Sequence, residues 1–215
     1  HYRRKPAESS KGRAVTVNGK KMNRLFILIM VLLGIASCAN GQNGKTDMKG
    51  KKILVAYYSW GGNTKAVGDY IAQKTGADVC RIEPVKAYPT DYEACVNEVN
   101  RHGSTYEPEL KPIQANVAEY DVIFVGAPCW WGTIANPLRT FLHRNSFKGK
   151  TVIPFMTNGT SGKRLQDVKK LCTGATVLDG LSIYNRYQVE TKVNTPDNMG
   201  DWKTAVDEWL KTVIK

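Results

Sequence analysis

The sequence predicts an α/β protein, a parallel sheet with helices on both faces. Three observations point there. From Lys51 onward, strand-like and helix-like segments alternate. Strand-like runs such as KILVAYYS and YDVIFVGAP are continuously apolar, which suits strands buried on both faces. Three of these runs also end in unusual loops, and in a parallel sheet such loops share the carboxyl edge, where ligands bind. No internal repeat or second domain is visible, so residues 51–215 read as one domain.

Each element has its own signal. KILVAYYS is the first strand. After Thr64, the residues Val67, Tyr70 and Ile71 share a helical face, and Gly76 is the stop. ADVCRIEP reads as the second strand. DYEACVNEVNRHG sets Tyr92, Cys95, Val96 and Val99 on one stripe before Gly103. YDVIFVGAP is the third strand. Asn136 and Pro137 then read as a cap and first helical residue, followed by the stripe Leu138, Phe141 and Leu142. TVIPFMT is the fourth strand, although Pro154 removes a backbone donor from it. SGKRLQDVKKLCTG is helical by Leu165, Val168, Leu171 and Cys172, and ATVLDGLSIY is the fifth strand. After a polar connector over 185–198, Trp202, Ala205, Val206, Trp209, Leu210 and Val213 give the last helix a strong period.

The chain before Lys51 reads differently. Lys20, Lys21 and Arg24 precede an apolar stretch from Leu25 to Ala36, then small residues and Cys38. About 12 apolar residues are too few to span a bilayer core that needs about 20, and they match the apolar part of an export signal. Ile35-Ala36-Ser37-Cys38 resembles a bacterial lipoprotein cleavage box, which implies cleavage before Cys38 and lipid on that residue. Residues 1–21 are therefore expected to lie upstream without function, 22–38 to be the signal, and 39–50 to be a polar flexible tether. The expected location is a membrane-anchored exported protein on the periplasmic or cell-envelope face.

Charge argues against nucleic acid as a partner. The net charge is +12, but residues 1–38 carry eight Lys/Arg against one acid, leaving 23 against 18 in residues 39–215. The remaining lysines are spread out, as on a solvated surface. Cys80, Cys95, Cys129 and Cys172 fit no zinc spacing, and three of them sit in apolar patterns that suit buried thiols. His102 and His143 read as surface or capping residues.

The functional signal lies in the three loops. Ser59-Trp60-Gly61-Gly62-Asn63-Thr64 runs straight into a helix, whose free N–H groups and partial positive charge suit an anion. The two glycines allow close backbone approach, and Ser59, Asn63 and Thr64 add neutral donors. That describes a cradle for one phosphate, without the Gly-Lys-Ser/Thr ending of the usual nucleotide loop; a simple capped helix is the other reading. In GAPCWWGTIANP, Trp130 and Trp131 stand between Pro128 and Gly132, where they could flank a flat aromatic group or cover the sheet end. TNGTSG, from Thr157 to Gly162, offers backbone donors beside two glycines.

Together YYSWGGNT and GAPCWWGTIANPLRTFL resemble the flavodoxin-like family, especially its short bacterial branch. The similarity runs from about Lys51 to Lys215. It implies a three-layer, doubly wound, five-stranded parallel sheet of order 2-1-3-4-5 with bound FMN. By that resemblance Ser59, Gly61, Gly62, Asn63 and Thr64 hold the phosphate. Pro128, Cys129, Trp130, Trp131 and Gly132 line one side of the isoalloxazine, and Thr157, Asn158 and Gly159 approach its other edge. The chain departs from the family pattern in having Gly61 where a hydroxyl residue is usual, and Lys163 and Arg164 after Gly162. Cys129, where relatives often carry a branched apolar residue, reads as a small filler.

No Ser-His-Asp set is visible, so the flavin would carry the chemistry. The expectation is a membrane-tethered FMN oxidoreductase or electron carrier, working with a redox partner protein or a quinone-like molecule. The alternatives are an NAD(P)H-dependent quinone reductase and a flavodoxin-shaped binding module without cofactor. Dimeric relatives in the wider family raise homodimerisation as an expectation.

Overall fold

The computed structural model describes residues 44–159, 165–185 and 195–215. The expected upstream segment, the export signal with Cys38, the first part of the tether, residues 160–164 with Gly162, Lys163 and Arg164, and most of the 185–198 connector lie outside the described residues. Among the described residues no helix is long and apolar enough to cross a membrane.

Strand β1 (Ile53–Tyr57) has β2 (Asp78–Arg81) on one side and β3 (Val122–Trp130) on the other. Next to β3 comes β5 (Thr151–Asn158), and then β6 (Thr176–Val177), giving the order β2-β1-β3-β5-β6 with every pair parallel. This is the expected order, with two refinements. A short strand β4 (Thr133–Ile134) folds back antiparallel onto the end of β3. The expected fifth strand is also broken into β6 and a second piece, β7 (Leu181–Tyr184), which pairs with β5 further along.

Pro154 accounts for the break. Thr151 and Val152 pair with β6, Phe155 to Asn158 pair with β7, and Pro154 falls in the gap, where its missing N–H leaves no ladder bond to lose. Gly180 crosses that gap closely. A Cβ there would lie 2.6 Å from the Pro154 carbonyl oxygen, so no larger residue fits without a shift.

Among the described residues five helices cover the sheet: α1 (Asn63–Thr75), α2 (Tyr92–His102), α3 (Asn136–Arg144), α4 (Gln166–Leu171) and α5 (Trp202–Val213). Because side chains alternate along a strand, each strand feeds two cores. Leu54 and Ala56 join Ile123, Val125, Leu138 and Phe141 on one face. Val55 and Tyr57 join Ile71, Phe124, Val206 and Trp209 on the other. Each fully buried apolar side chain contributes roughly 1.5–3 kcal/mol by leaving water.

Two local expectations are corrected. Asn136 is not the cap of α3. Ala135 holds that position, and the buried Asn136 is the first helical residue, its Nδ2 donating to the carbonyls of Gly103 (3.0 Å) and Tyr106 (2.7 Å). The second half of the expected tether is docked. Thr46 N–H donates to the Val213 carbonyl at 2.8 Å, Lys215 N–H donates back to Thr46 at 3.0 Å, and Met48 packs on the α5-side core. Backbone pairing makes this contact, and backbone pairing leaves no mark in a polar sequence.

Candidate functional site

A cavity of about 390 Å³ opens at the carboxyl edge of β1, β3, β5 and β7. It lies where β1 sends its neighbours to opposite sides, the switch point at which doubly wound sheets bind ligands. Three of its walls are the three loops singled out in the sequence.

The first wall is the turn from β1 into α1. Ser59, Gly61, Asn63 and Thr64 line the cavity. Gly62 does not line it but shapes the turn. It occupies the N-cap of α1 with φ 92°, a conformation that side chains disfavour, and its N–H donates to Ser59 Oγ at 3.2 Å. No side chain caps α1 and its first turn holds no acid, so the start of the helix is electrostatically ready for an anion. Lys65, the first cation of the helix, is paired with Asp69 one turn on.

The second wall is a hairpin. Trp130 and Thr133 are paired, so Trp131 and Gly132 form a two-residue turn, both at positive φ (51° and 79°). That is the pattern of a type I′ turn, in which Asn-Gly is the usual choice. A tryptophan in the first position is strained by about 1 kcal/mol or more. The two tryptophans therefore differ. Trp130 is half-buried, edge-on to Tyr58 (5.5 Å) and Tyr88 (4.9 Å). Trp131 is 55% exposed. The hairpin is tied down by Ala135 N–H donating to Pro128 (3.1 Å) and by Thr133 Oγ1 donating to Asp167 (2.7 Å). Cys129, half-buried beside Pro128, has its thiol pushed up by burial and stays neutral.

The third wall is the end of β5, Thr157, Asn158 and Gly159. A buried hydrogen bond of 2.7 Å between the hydroxyls of Thr64 and Thr157 joins it to the first. Every residue that the resemblance assigns to the cofactor, except Gly62, thus lines one cavity.

Sequence reasoning missed a fourth wall and one corner. The α2 stripe of Tyr92, Cys95, Val96 and Val99 faces this cavity and belongs to neither core, although Cys95 and Val99 are buried. Its periodicity was legible, but periodicity cannot say whether a stripe meets a sheet or a void. Burial pushes the Cys95 thiol up to about 11. Trp60 also lines the cavity, its Nε1 donating to the Pro89 carbonyl at 2.7 Å. Asn185, just past β7, had no motif to announce it. Among the described residues, no Asp, Glu, Lys, Arg or His lines the cavity.

A neutral, donor-rich helix start stands beside an aromatic hairpin at the switch point of a parallel sheet, a combination whose chemistry suits a phosphate and a flat ring together. The flavodoxin family profile matches residues 52–199, and the chain belongs to that family. It resembles a protein of Bacteroides eggerthii assigned as a flavoprotein, with a TM-score of 0.59 and 27% identity, over 76% of this chain and 98% of that one. A Lactobacillus acidophilus flavoprotein solved in complex with FMN shares the fold (TM-score 0.51, 21% identity, 61% of this chain and 93% of that one). Among curated proteins, an NAD(P)H dehydrogenase (quinone) of Cupriavidus metallidurans is 30% identical over 91 residues, 42% of this chain and 45% of that protein. The chain spans about half the length of the curated relatives it matches.

Proposed function

We propose that the cavity binds one FMN and that the chain is an FMN-dependent oxidoreductase or electron carrier. The observation that carries this is the division of one cavity into an uncapped, acid-free helix start and an aromatic hairpin. The residues fit the group. A volume of about 390 Å³ falls in the roughly 300–1,000 Å³ range of small-molecule sites. Ser59, Gly61, Asn63 and Thr64 would hold the phosphate, with Gly62 setting the turn. Pro128, Cys129, Trp130, Trp131 and Gly132 would border one side of the ring, and Thr157, Asn158 and Gly159 its other edge.

When bound, the flavin supplies the redox chemistry. The chain orients it, screens it from water with the hairpin and α2, and adds no charge from the described walls. Neutral walls do not compensate a phosphate, so its negative charge rests on N–H and hydroxyl dipoles. The neutral thiols of Cys95 and Cys129 act as packing groups, not as nucleophiles.

The test is flavin titration of the purified full chain. FMN should bind with quenched fluorescence, and riboflavin, which lacks the phosphate, should bind at least tenfold more weakly. Protein that takes up no FMN would reduce the chain to a binding module of flavodoxin shape. The likeness to curated quinone dehydrogenases supports a second reading, an NAD(P)H-dependent reductase of a quinone-like acceptor. NAD(P)H consumption with a quinone separates it from a carrier that needs a redox partner protein. We also propose that Cys38 carries a lipid anchor at the cell envelope. Labelled palmitate should follow the wild type and not Cys38→Ser; label in neither ends that proposal. Homodimerisation is read by sedimentation of the flavin-loaded protein.

A further inference from the structure

Asn185 lines the cavity next to the end of β5 and is 1% exposed. Its own N–H donates to the Asn158 carbonyl at 2.7 Å, which ties the end of β7 to the third wall. Its side-chain Nδ2 donates to the Thr195 carbonyl at 3.1 Å. That bond fixes which way the carboxamide points, because the flipped amide would set two acceptors against each other. Oδ1 is therefore turned away from Thr195, and it is buried with no hydrogen-bond partner. A buried acceptor left unmatched is costly, so one that persists at a cavity wall marks a place for a ligand donor.

Asn158 repeats the pattern. It also lines the cavity, and its two Nδ2 protons go to Ser182 Oγ (2.7 Å) and the Ile183 carbonyl (3.1 Å). Both amides donate toward β7 and the residues beyond it, and the carbonyl oxygen of Asn185 is the one left buried without a partner. The corner between β5 and β7 is thus built to accept hydrogen bonds, whereas the start of α1 is built to donate them.

We propose that Asn185 Oδ1, seconded by Asn158, accepts a hydrogen bond from the imide N–H of the flavin ring and so orients the ring relative to the phosphate. This rests on the FMN reading above. A ligand that carries both acceptors and a donor N–H matches these two sets of wall residues, its acceptors on the start of α1 and its N–H on Asn185.

The experiment compares FMN with N3-methyl-FMN, which lacks the imide proton, on the full-length wild type and on Asn185→Leu, which keeps the size and removes the acceptor. Wild type should prefer FMN by about tenfold or more, and the variant should lose most of that preference by weakening FMN alone. Folding of the variant is checked by circular dichroism and its melting temperature. If Asn185→Leu does not fold, Asn185→Ser is read by the same ratio. Equal weakening of both flavins would assign Asn185 to a ribityl hydroxyl or to structure and overturn the proposal. So would an unchanged ratio. Wild type that binds no flavin overturns the cofactor reading itself, a result distinct from either.

Discussion

The turn after β1 and the hairpin after β3 border the same cavity and are made of opposite materials. The first recognises through backbone. Gly62 at φ 92° opens the turn, and the start of α1 has no capping side chain, which leaves its first N–H groups to an anion under the proposed reading. The second recognises through side-chain area. It holds one tryptophan in an aromatic cluster and the other on a strained turn at 55% exposure. The difference teaches that the two ends should fail differently when changed. Damage to the backbone cradle should be felt by the phosphate alone, and damage to the hairpin by the ring whether or not a phosphate is attached.

The largest effect should come from Trp130→Ala. This half-buried side chain fills space between Tyr58 and Tyr88, so its loss should cost about 3 kcal/mol in urea unfolding and abolish measurable binding of FMN and riboflavin alike. Next comes Gly62→Ala. The space around a Cβ is open there, so only the backbone conformation resists, at about 1–2 kcal/mol. FMN affinity should fall about tenfold while riboflavin affinity stays, and an equal loss of both would erase the distinction between the two walls.

Trp131→Asn should separate stability from function. Asparagine suits the first position of this turn, so the melting temperature should rise, by the equivalent of about 1 kcal/mol. Flavin binding should weaken roughly tenfold for both ligands as the exposed ring is lost. A variant that gains stability and keeps its affinity would make Trp131 a bystander.

The smallest effect concerns pH. Burial raises the Cys95 thiol to about 11, whereas an unfolded thiol ionises near about 8.5. Between those values the unfolded chain releases a proton that the folded chain keeps. Stability is therefore full below about pH 8.5 and falls as pH rises toward 11. Denaturant midpoints of wild type should drop across that range more steeply than those of Cys95→Ala.

Much of this was legible before any coordinates. Continuous apolar runs gave β1, β3 and β5, because strands covered on both faces need apolar residues throughout. Glycines and tryptophans at the ends of those runs marked the edge that carries the cavity, because such residues are expensive to leave in loops without a purpose. Other features were hidden for equally physical reasons. The break between β6 and β7 needed Pro154 to stand opposite the gap, a relation between strands far apart in sequence. Asn136 looked like a cap because caps are local, yet its partners Gly103 and Tyr106 belong to another segment.

By itself the sequence determined the order of elements, the cradle and the aromatic loop, since propensity, turn chemistry and hydrophobic period are properties of neighbouring residues. Tertiary structure alone decided which surfaces those residues meet. It turned the α2 stripe toward a cavity, set Trp131 in the open while Trp130 was packed, joined Thr64 to Thr157, and left Asn185 with an acceptor to satisfy. Those outcomes depend on contacts across the sheet, which no local pattern encodes.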